Sequence, residues 1–187
     1  STNLVEAVPP GTLDGFSVVQ QNFSMLNLKY LDWEDPYYLI SYAEVELMRA
    51  EAALKGWIGG SAESHFNAGV AAAINAWTLF DPSFAVPAED IDAYIAGRGF
   101  GAASDEDKMR LIGEEYWAAT YLNDIESWSN WRRTGYPELT PTQDPNAWEG
   151  NFIPRRLIYW ETEIGANPDN YQAAVSRMGG DLFATRI

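Results

Sequence analysis

Two amphipathic segments joined by a glycine-rich turn set the narrowest limit on how this chain can fold. The first carries apolar residues every three or four positions, on one face of a helix: Ala43, Leu47, Ala50, Leu54 and Trp57. The turn, residues 56–60, contains paired glycines that suit a helix end. The second begins at the N-cap residue Ser61 and repeats the pattern with Phe66, Val70, Ala73, Trp77 and Phe80. The short link predicts an antiparallel helical pair of the tetratricopeptide type.

The segments on either side of this pair predict one strand and one loop. Leu26, Leu28 and Tyr30 alternate with polar residues, which favours a short extended element. Residues 81–103 are rich in Pro, Gly, Asp and Ala, so we predict a long surface loop with at most a short helix near residues 91–96.

The C-terminal half predicts three more helices. Ser104 and the acidic residues after it begin one, with a buried stripe of Met109, Ile112, Tyr116, Ala119 and Leu122. A short helix to Arg133 and a last one over residues 169–178 follow. The chain therefore predicts a mainly α fold of tetratricopeptide-like helical pairs, with long irregular loops and a small extended N-terminal element.

Composition excludes several classes of protein. The 187 residues carry 27 acidic and 12 basic side chains, and the net charge of -15 would repel nucleic acid. No run approaches the roughly 18 to 20 apolar residues of a membrane span. The absence of cysteine excludes disulfides, thiolate zinc sites and thiol nucleophiles. Because the first residues lack the features of a signal peptide, we expect a mature protein or a fragment.

Candidates for catalysis are weak. His65 lies inside the second helix, without the GxSxG turn of a Ser-His-Asp hydrolase. Glu114 and Glu115 are the best candidates for the two carboxylates of a glycoside hydrolase, although spacing in sequence cannot give their separation. No EF-hand spacing and no phosphate-binding glycine loop occur. The sequence predicts no catalytic residue, no metal site and no cofactor.

The aromatic content is unusual, with eight Trp, ten Tyr and eight Phe. Flat rings with a polar tip suit sugar faces or peptide side chains. The predicted helical stripes place Trp57, Trp77 and Trp117 in packing roles. Two other tryptophans, in loops rich in Pro and Asp, are the predicted ligand-binding residues: Trp33, and Trp148 with its neighbour Asn146.

Three segments together resemble the SusD/RagB family, in particular its SusD-like branch. Residues 36–77 resemble the family's helix with an AEA core, glycine turn and second helix with a Gly69-Val70 step. Residues 117–139 contain a signature of tryptophans, a double arginine and Gly-Tyr-Pro. Residues 153–175 resemble the closing block. The signature residues, which we interpret as structural, are Arg132, Arg133, Gly135, Tyr136 and Pro137.

The resemblance implies a Bacteroidota nutrient-binding lipoprotein on the cell surface, anchored by lipid in the outer membrane through an N-terminal part that is missing here. Residues 1–187 would be the C-terminal part of a single SusD-like domain. Its expected partners are an oligosaccharide or a peptide, a SusC-like TonB-dependent transporter and the N-terminal part of the same protein. Nucleic acid is not expected. A glycoside hydrolase on a helical scaffold, a peptide-binding SusD-like protein and a cytoplasmic helical-repeat adaptor remain as alternatives.

Overall fold

The computed structural model describes residues 33–141 and 153–181, and these residues are predominantly helical. They contain seven α-helices: α1 Tyr42–Leu54, α2 Ala62–Ala76, α3 Ala88–Arg98, α4 Asp105–Ala119, α5 Asp124–Thr134, α6 Glu161–Ala166 and α7 Pro168–Met178. Short 3₁₀ turns cover Trp77–Leu79, Pro82–Phe84 and Phe100–Ala102. The predicted mainly α class is confirmed. The predicted extended element at residues 26–30 lies outside the described residues.

The chain divides into two compact units. Among the described residues, one unit comprises residues 33–138 and contains α1 to α5, whereas the other comprises residues 139–141 and 153–181 and contains α6 and α7. None of the described helices combines the length and apolar character needed to span a bilayer.

Helices α1 and α2 form the predicted hairpin, and each begins at a serine cap. The Ser41 Oγ accepts a hydrogen bond from the Glu44 N–H at 3.1 Å, and the Glu44 side chain accepts one from the Ser41 N–H at 2.8 Å. This reciprocal capping box satisfies two of the donors left unpaired at a helix start. Ser61 caps α2 through a similar bond to the backbone N–H of Ser64.

The two helices approach most closely where Gly69 of α2 faces Leu47 of α1. A Cβ at position 69 would lie 2.7 Å from the Leu47 Cγ and 3.2 Å from its backbone nitrogen. Only glycine allows this approach, because any side chain would overlap with Leu47. The glycine of the Gly69-Val70 step therefore has a packing role.

The core of this unit lies between α1, α2 and α4. Phe66 stacks on Phe100 with ring centroids 4.2 Å apart. Most of the buried residues belong to the predicted stripes, whereas Phe100 and Leu111 do not. The buried cluster consists of Leu47, Ala50, Phe66, Val70, Phe100, Leu111, Ile112 and Tyr116.

Several predictions about this unit were wrong, including the burial of Leu122, which is 46% exposed and lies after the end of α4. Residues 88–98, predicted as loop with at most a short helix, form the full helix α3, which ends at Gly99 in the left-handed conformation. Its acidic first turn and basic Arg98 complement the helix dipole, and this outweighs the Pro- and Gly-rich composition of the wider segment. Trp57, predicted to pack, is largely exposed because α1 ends at Leu54, before the stripe reaches it.

In the second unit, the Asp181 carboxylate accepts hydrogen bonds from three residues. Arg156 Nη1 donates to it at 2.6 Å, and the Tyr171 hydroxyl donates at 3.2 Å. The Tyr159 N–H also donates, and the Tyr159 ring packs edge-on against Tyr171. The predicted last helix is confirmed as α7, which begins at Pro168 and ends at Gly179 in the left-handed conformation.

Candidate ligand-binding cleft

A cleft of about 260 Å³ opens at one end of the first unit. Four pieces of chain form it: residues 35–38, the start of α1, the end of α2 with the turn after it, and residues 119–123 at the end of α4. The packing of α1, α2 and α4 against one another brings these segments together, so residues distant in sequence share one wall. Most of its lining is apolar and aromatic, as is typical of small-molecule sites.

Five aromatic residues line the cleft, and the rings of four of them lie close together: Tyr38, Trp77, Phe80 and Tyr121. Trp77 lies 5.4 Å from Phe80 and 5.8 Å from Tyr121, measured between ring centroids, and the second contact is edge-on. Tyr38 lies 6.1 Å from Phe80, and its hydroxyl donates a long hydrogen bond of 3.4 Å to the Ala76 carbonyl. Burial raises the pKa of Tyr38, so its hydroxyl stays a neutral donor. These rings offer apolar faces beside polar tips.

A buried carboxylate lines the cleft and lies close to a buried tyrosine hydroxyl. Glu44 lines it and is only 3% exposed, and the Tyr116 hydroxyl lies 3.5 Å from its Oε2. Burial and the charge of Glu44 raise the pKa of Tyr116 to about 12. Thr120 also lines the cleft, and its hydroxyl is fixed by the Tyr116 carbonyl and by Ser127, each at 2.8 Å. These polar groups are therefore held in place.

Leu122, in the turn between α4 and α5, has an unusual backbone. Its φ of 72° is left-handed, a conformation that is unfavourable for a branched residue. Leu122 lines the cleft and is partly exposed. Backbone strain of this kind clusters at ligand sites, so it points to the same place as the aromatic rings.

The two carboxylates predicted as hydrolase candidates lie elsewhere in the unit. Glu114 accepts hydrogen bonds from Arg98 and Arg110, at 2.5 and 2.7 Å. Burial raises the pKa of Glu114, but the two arginines outweigh burial and lower it overall. Glu115 is bound to Tyr94 at 2.8 Å. Adjacent residues of one helix do not face each other, so this pair cannot flank a glycosidic bond.

Residues 6–160 match the SusD-like family model described as starch-binding associating with outer membrane. The chain belongs to the SusD-like family. No curated protein matches the sequence significantly.

Several solved structures are similar. A chitin-binding protein is 34% identical with a TM-score of 0.71, and the match covers 89% of this chain and 36% of that one. A Bacteroidetes SusD-like protein is 33% identical with a TM-score of 0.76, covering 87% and 32%. A SusD homologue from Bacteroides uniformis is 26% identical with a TM-score of 0.67, covering 89% and 39%. The chain thus spans about a third of the length of these SusD-like relatives.

The signature residues lie in the last turns of α5 and directly after it. Arg133 donates two hydrogen bonds to Glu51 of α1, each at 2.6 Å. Arg132 stacks on the Trp128 ring at 4.5 Å. Gly135 ends α5 with a φ of 86°, and a cis peptide bond joins Tyr136 to Pro137.

Of the predicted ligand-binding residues, the structure describes Trp33 alone, and Trp33 does not line the cleft. Its side chain is fully exposed. Trp148 and Asn146 lie outside the described residues. For the described residues, no group of three or more His, Asp and Glu side chains could hold a metal ion.

Sequence reasoning did not find the cleft. Tyr38, Phe80 and Tyr121 were not considered as ligand contacts, and Trp77 was predicted to pack in the core. A signal was present, because the stripe of α2 runs past Ala76 to Phe80 after the helix has ended. The meeting of Tyr38, Trp77, Phe80 and Tyr121 in one cleft, however, depends on tertiary structure.

Proposed function

We propose that this chain is part of a non-catalytic protein that binds glycan oligomers at the bacterial cell surface, and that the aromatic cleft contacts the glycan. The observation that carries the proposal is the set of rings from Tyr38, Trp77, Phe80 and Tyr121 beside fixed polar groups. Aromatic faces pack on sugar C–H groups, while Glu44 and Thr120 supply polar groups for sugar hydroxyls.

Two comparisons support a glycan. The matching family is described as starch-binding, and a relative at 34% identity is a chitin-binding protein. The net charge of -15 favours neutral ligands over acidic polymers. A starch-like or chitin-like oligosaccharide fits these properties.

The site offers binding groups without a catalytic pair. Glu114 and Glu115, the hydrolase candidates, are neutralised by arginines and do not face each other. Binding needs no further chemistry, so we propose that the protein is not an enzyme.

The wider biological role rests on the family. Its description includes association with the outer membrane, which supports a location at the outer-membrane surface. We propose that a lipid anchor holds the protein there and that a SusC-like TonB-dependent transporter receives the glycan. The chain would be the C-terminal part of a longer SusD-like domain, in keeping with the one-third coverage of its relatives.

Binding to insoluble chitin and to starch gels tests the proposal. The protein that carries this chain should be retained by at least one of them, and no reducing sugar should be released. Retention of neither polysaccharide would contradict the glycan proposal. Release of soluble sugar would contradict the assignment as a non-enzyme.

A further inference from the structure

A second groove, of about 360 Å³, adjoins the aromatic cleft. The two share Ala73 and Trp77, so Trp77 forms part of both walls. Beyond these shared residues the groove is lined mainly by Phe84, Val86, Tyr94, Glu115 and Ala118. A chain-like ligand that passes over Trp77 would therefore contact both depressions.

Glu115 brings an incompletely paired carboxylate to this groove. Its side chain is only 7% exposed. The Tyr94 hydroxyl donates to its Oε1 at 2.8 Å, and the Arg98 Nε lies 2.7 Å from the same oxygen as an ion pair. Its Oε2 accepts no hydrogen bond from any residue in the described part of the chain. This oxygen has no protein donor among the described residues and is not fully buried, so it can accept a hydrogen bond from a ligand in the groove.

The charges around Glu115 favour a neutral donor. Two arginines balance the two carboxylates, since Arg98 pairs with both Glu114 and Glu115, and Arg110 pairs with Glu114. An ammonium group entering the groove would meet a carboxylate whose charge is already compensated by Arg98. A hydroxyl or amide N–H needs only the free oxygen and brings no charge into the site. The partly exposed Tyr94 ring supplies an apolar face beside that oxygen.

We propose that this groove is a second subsite, which binds a further unit of the same neutral oligosaccharide that occupies the cleft. The Glu115 Oε2 accepts a hydrogen bond from a hydroxyl or acetamido N–H, and the Tyr94 ring packs on the sugar. This inference rests on the proposed glycan-binding function. It adds that the site recognises a run of sugar units that crosses Trp77.

Oligomer length is the property to measure. Calorimetry on the whole protein that carries this chain measures the affinity for two series of ligands, maltooligosaccharides and N-acetylglucosamine oligomers. Each series runs from the disaccharide to the hexasaccharide. In one of the two series, the hexasaccharide should bind about tenfold more tightly than the disaccharide, because only the longer oligosaccharides reach the groove as well as the cleft. In Ala118→Phe, a ring added at an exposed position of α4 fills the groove. This variant should keep wild-type affinity for short members and lose the gain with length.

Two further variants separate the subsites. Glu115→Gln retains the shape but replaces the free acceptor with an amide, and it should also reduce the gain with length. Tyr121→Ala lies in the cleft and should weaken short and long members alike. Thermal unfolding of each variant confirms that the fold is intact.

The outcomes distinguish the two proposals. Binding of glycans with no dependence on length, or an Ala118→Phe protein that binds the hexasaccharide as the wild type does, would overturn the second subsite and leave the cleft standing. No binding of either series would overturn both. Tighter binding of lysine-containing peptides than of any glycan would also overturn both, because it would assign the Glu115 oxygen to a cation.

Discussion

Arg133 of α5 and Glu51 of α1 form a two-point ion pair, from Nη1 to Oε1 and from Nη2 to Oε2, each at 2.6 Å. Glu51 is buried, and Lys55 adds a third hydrogen bond at 2.5 Å. The planar guanidinium matches both carboxylate oxygens at once, which lysine cannot do. The second arginine of the SusD-like signature therefore links α5 to α1 through two residues that are 82 positions apart in sequence.

Replacing Arg133 should destabilise the unit. Arg133→Ala leaves the buried Glu51 with Lys55 alone, and we expect the free energy of unfolding to fall by about 2 kcal/mol, since Arg133 is half-exposed. Arg133→Lys should recover only part of this loss. Denaturant unfolding measures the change, and Arg132→Ala is the matched control because Arg132 stacks on the exposed Trp128. Equal losses at the two positions would contradict the special role of Arg133.

The same pair predicts a dependence of stability on pH. Burial raises the pKa of Glu51, but the hydrogen bonds from Arg133 and Lys55 outweigh burial and hold it below 4.5. The unfolded chain therefore takes up the proton first. The stabilisation is complete above about pH 4.5 and is lost as the pH falls through the folded-state pKa.

Unfolding measured from pH 6 down to pH 3 tests this. Glu51→Gln should remove part of the stability that is lost on acidification, because the amide has no proton to take up. A Glu51→Gln protein with an unchanged acid-side slope would contradict the prediction.

Two glycines in helices predict opposite effects. Gly69→Ala places a Cβ 2.7 Å from Leu47 and should cost about 1 to 3 kcal/mol of stability, despite the better helix propensity of alanine. Gly97→Ala in α3 meets nothing within 4 Å and should gain about 0.5 to 1 kcal/mol. Thermal unfolding compares them. An unchanged stability in Gly69→Ala would contradict the prediction, because it would show that α1 and α2 can move apart at no cost in free energy.

The hairpin was predictable from sequence because its signals are local. Ser41 and Ser61 act as caps within one turn, and the stripes of α1 and α2 have the helical period. Helix α3 was missed because a Pro- and Gly-rich background hid its short pattern. The cleft depends on Tyr38, Trp77 and Tyr121, which lie in three separate segments, and no local rule predicts that helix ends converge.

Replacing Leu122 should raise the stability of the protein and lower its affinity for the glycan. Leu122→Asn tolerates the left-handed backbone better and should raise the free energy of unfolding by about 0.5 to 1 kcal/mol. The same change removes an apolar contact from the cleft, so glycan affinity should fall. Denaturant unfolding and calorimetry on one preparation measure both. A variant that is less stable than the wild type would contradict the assignment of strain.

The claim that the aromatic cleft binds the glycan is tested most directly by two variants. One removes a tyrosine in the cleft, the other removes a tryptophan outside it, and the glycan affinity of each is measured. Tyr121→Ala removes a partly exposed ring that packs edge-on against Trp77, whereas Trp57→Ala removes a largely exposed ring outside the cleft. Calorimetry with the best-bound oligosaccharide should give an affinity at least about tenfold lower for Tyr121→Ala and unchanged for Trp57→Ala. Wild-type affinity in Tyr121→Ala, or an equal loss in both variants, would contradict the claim that the cleft binds the glycan.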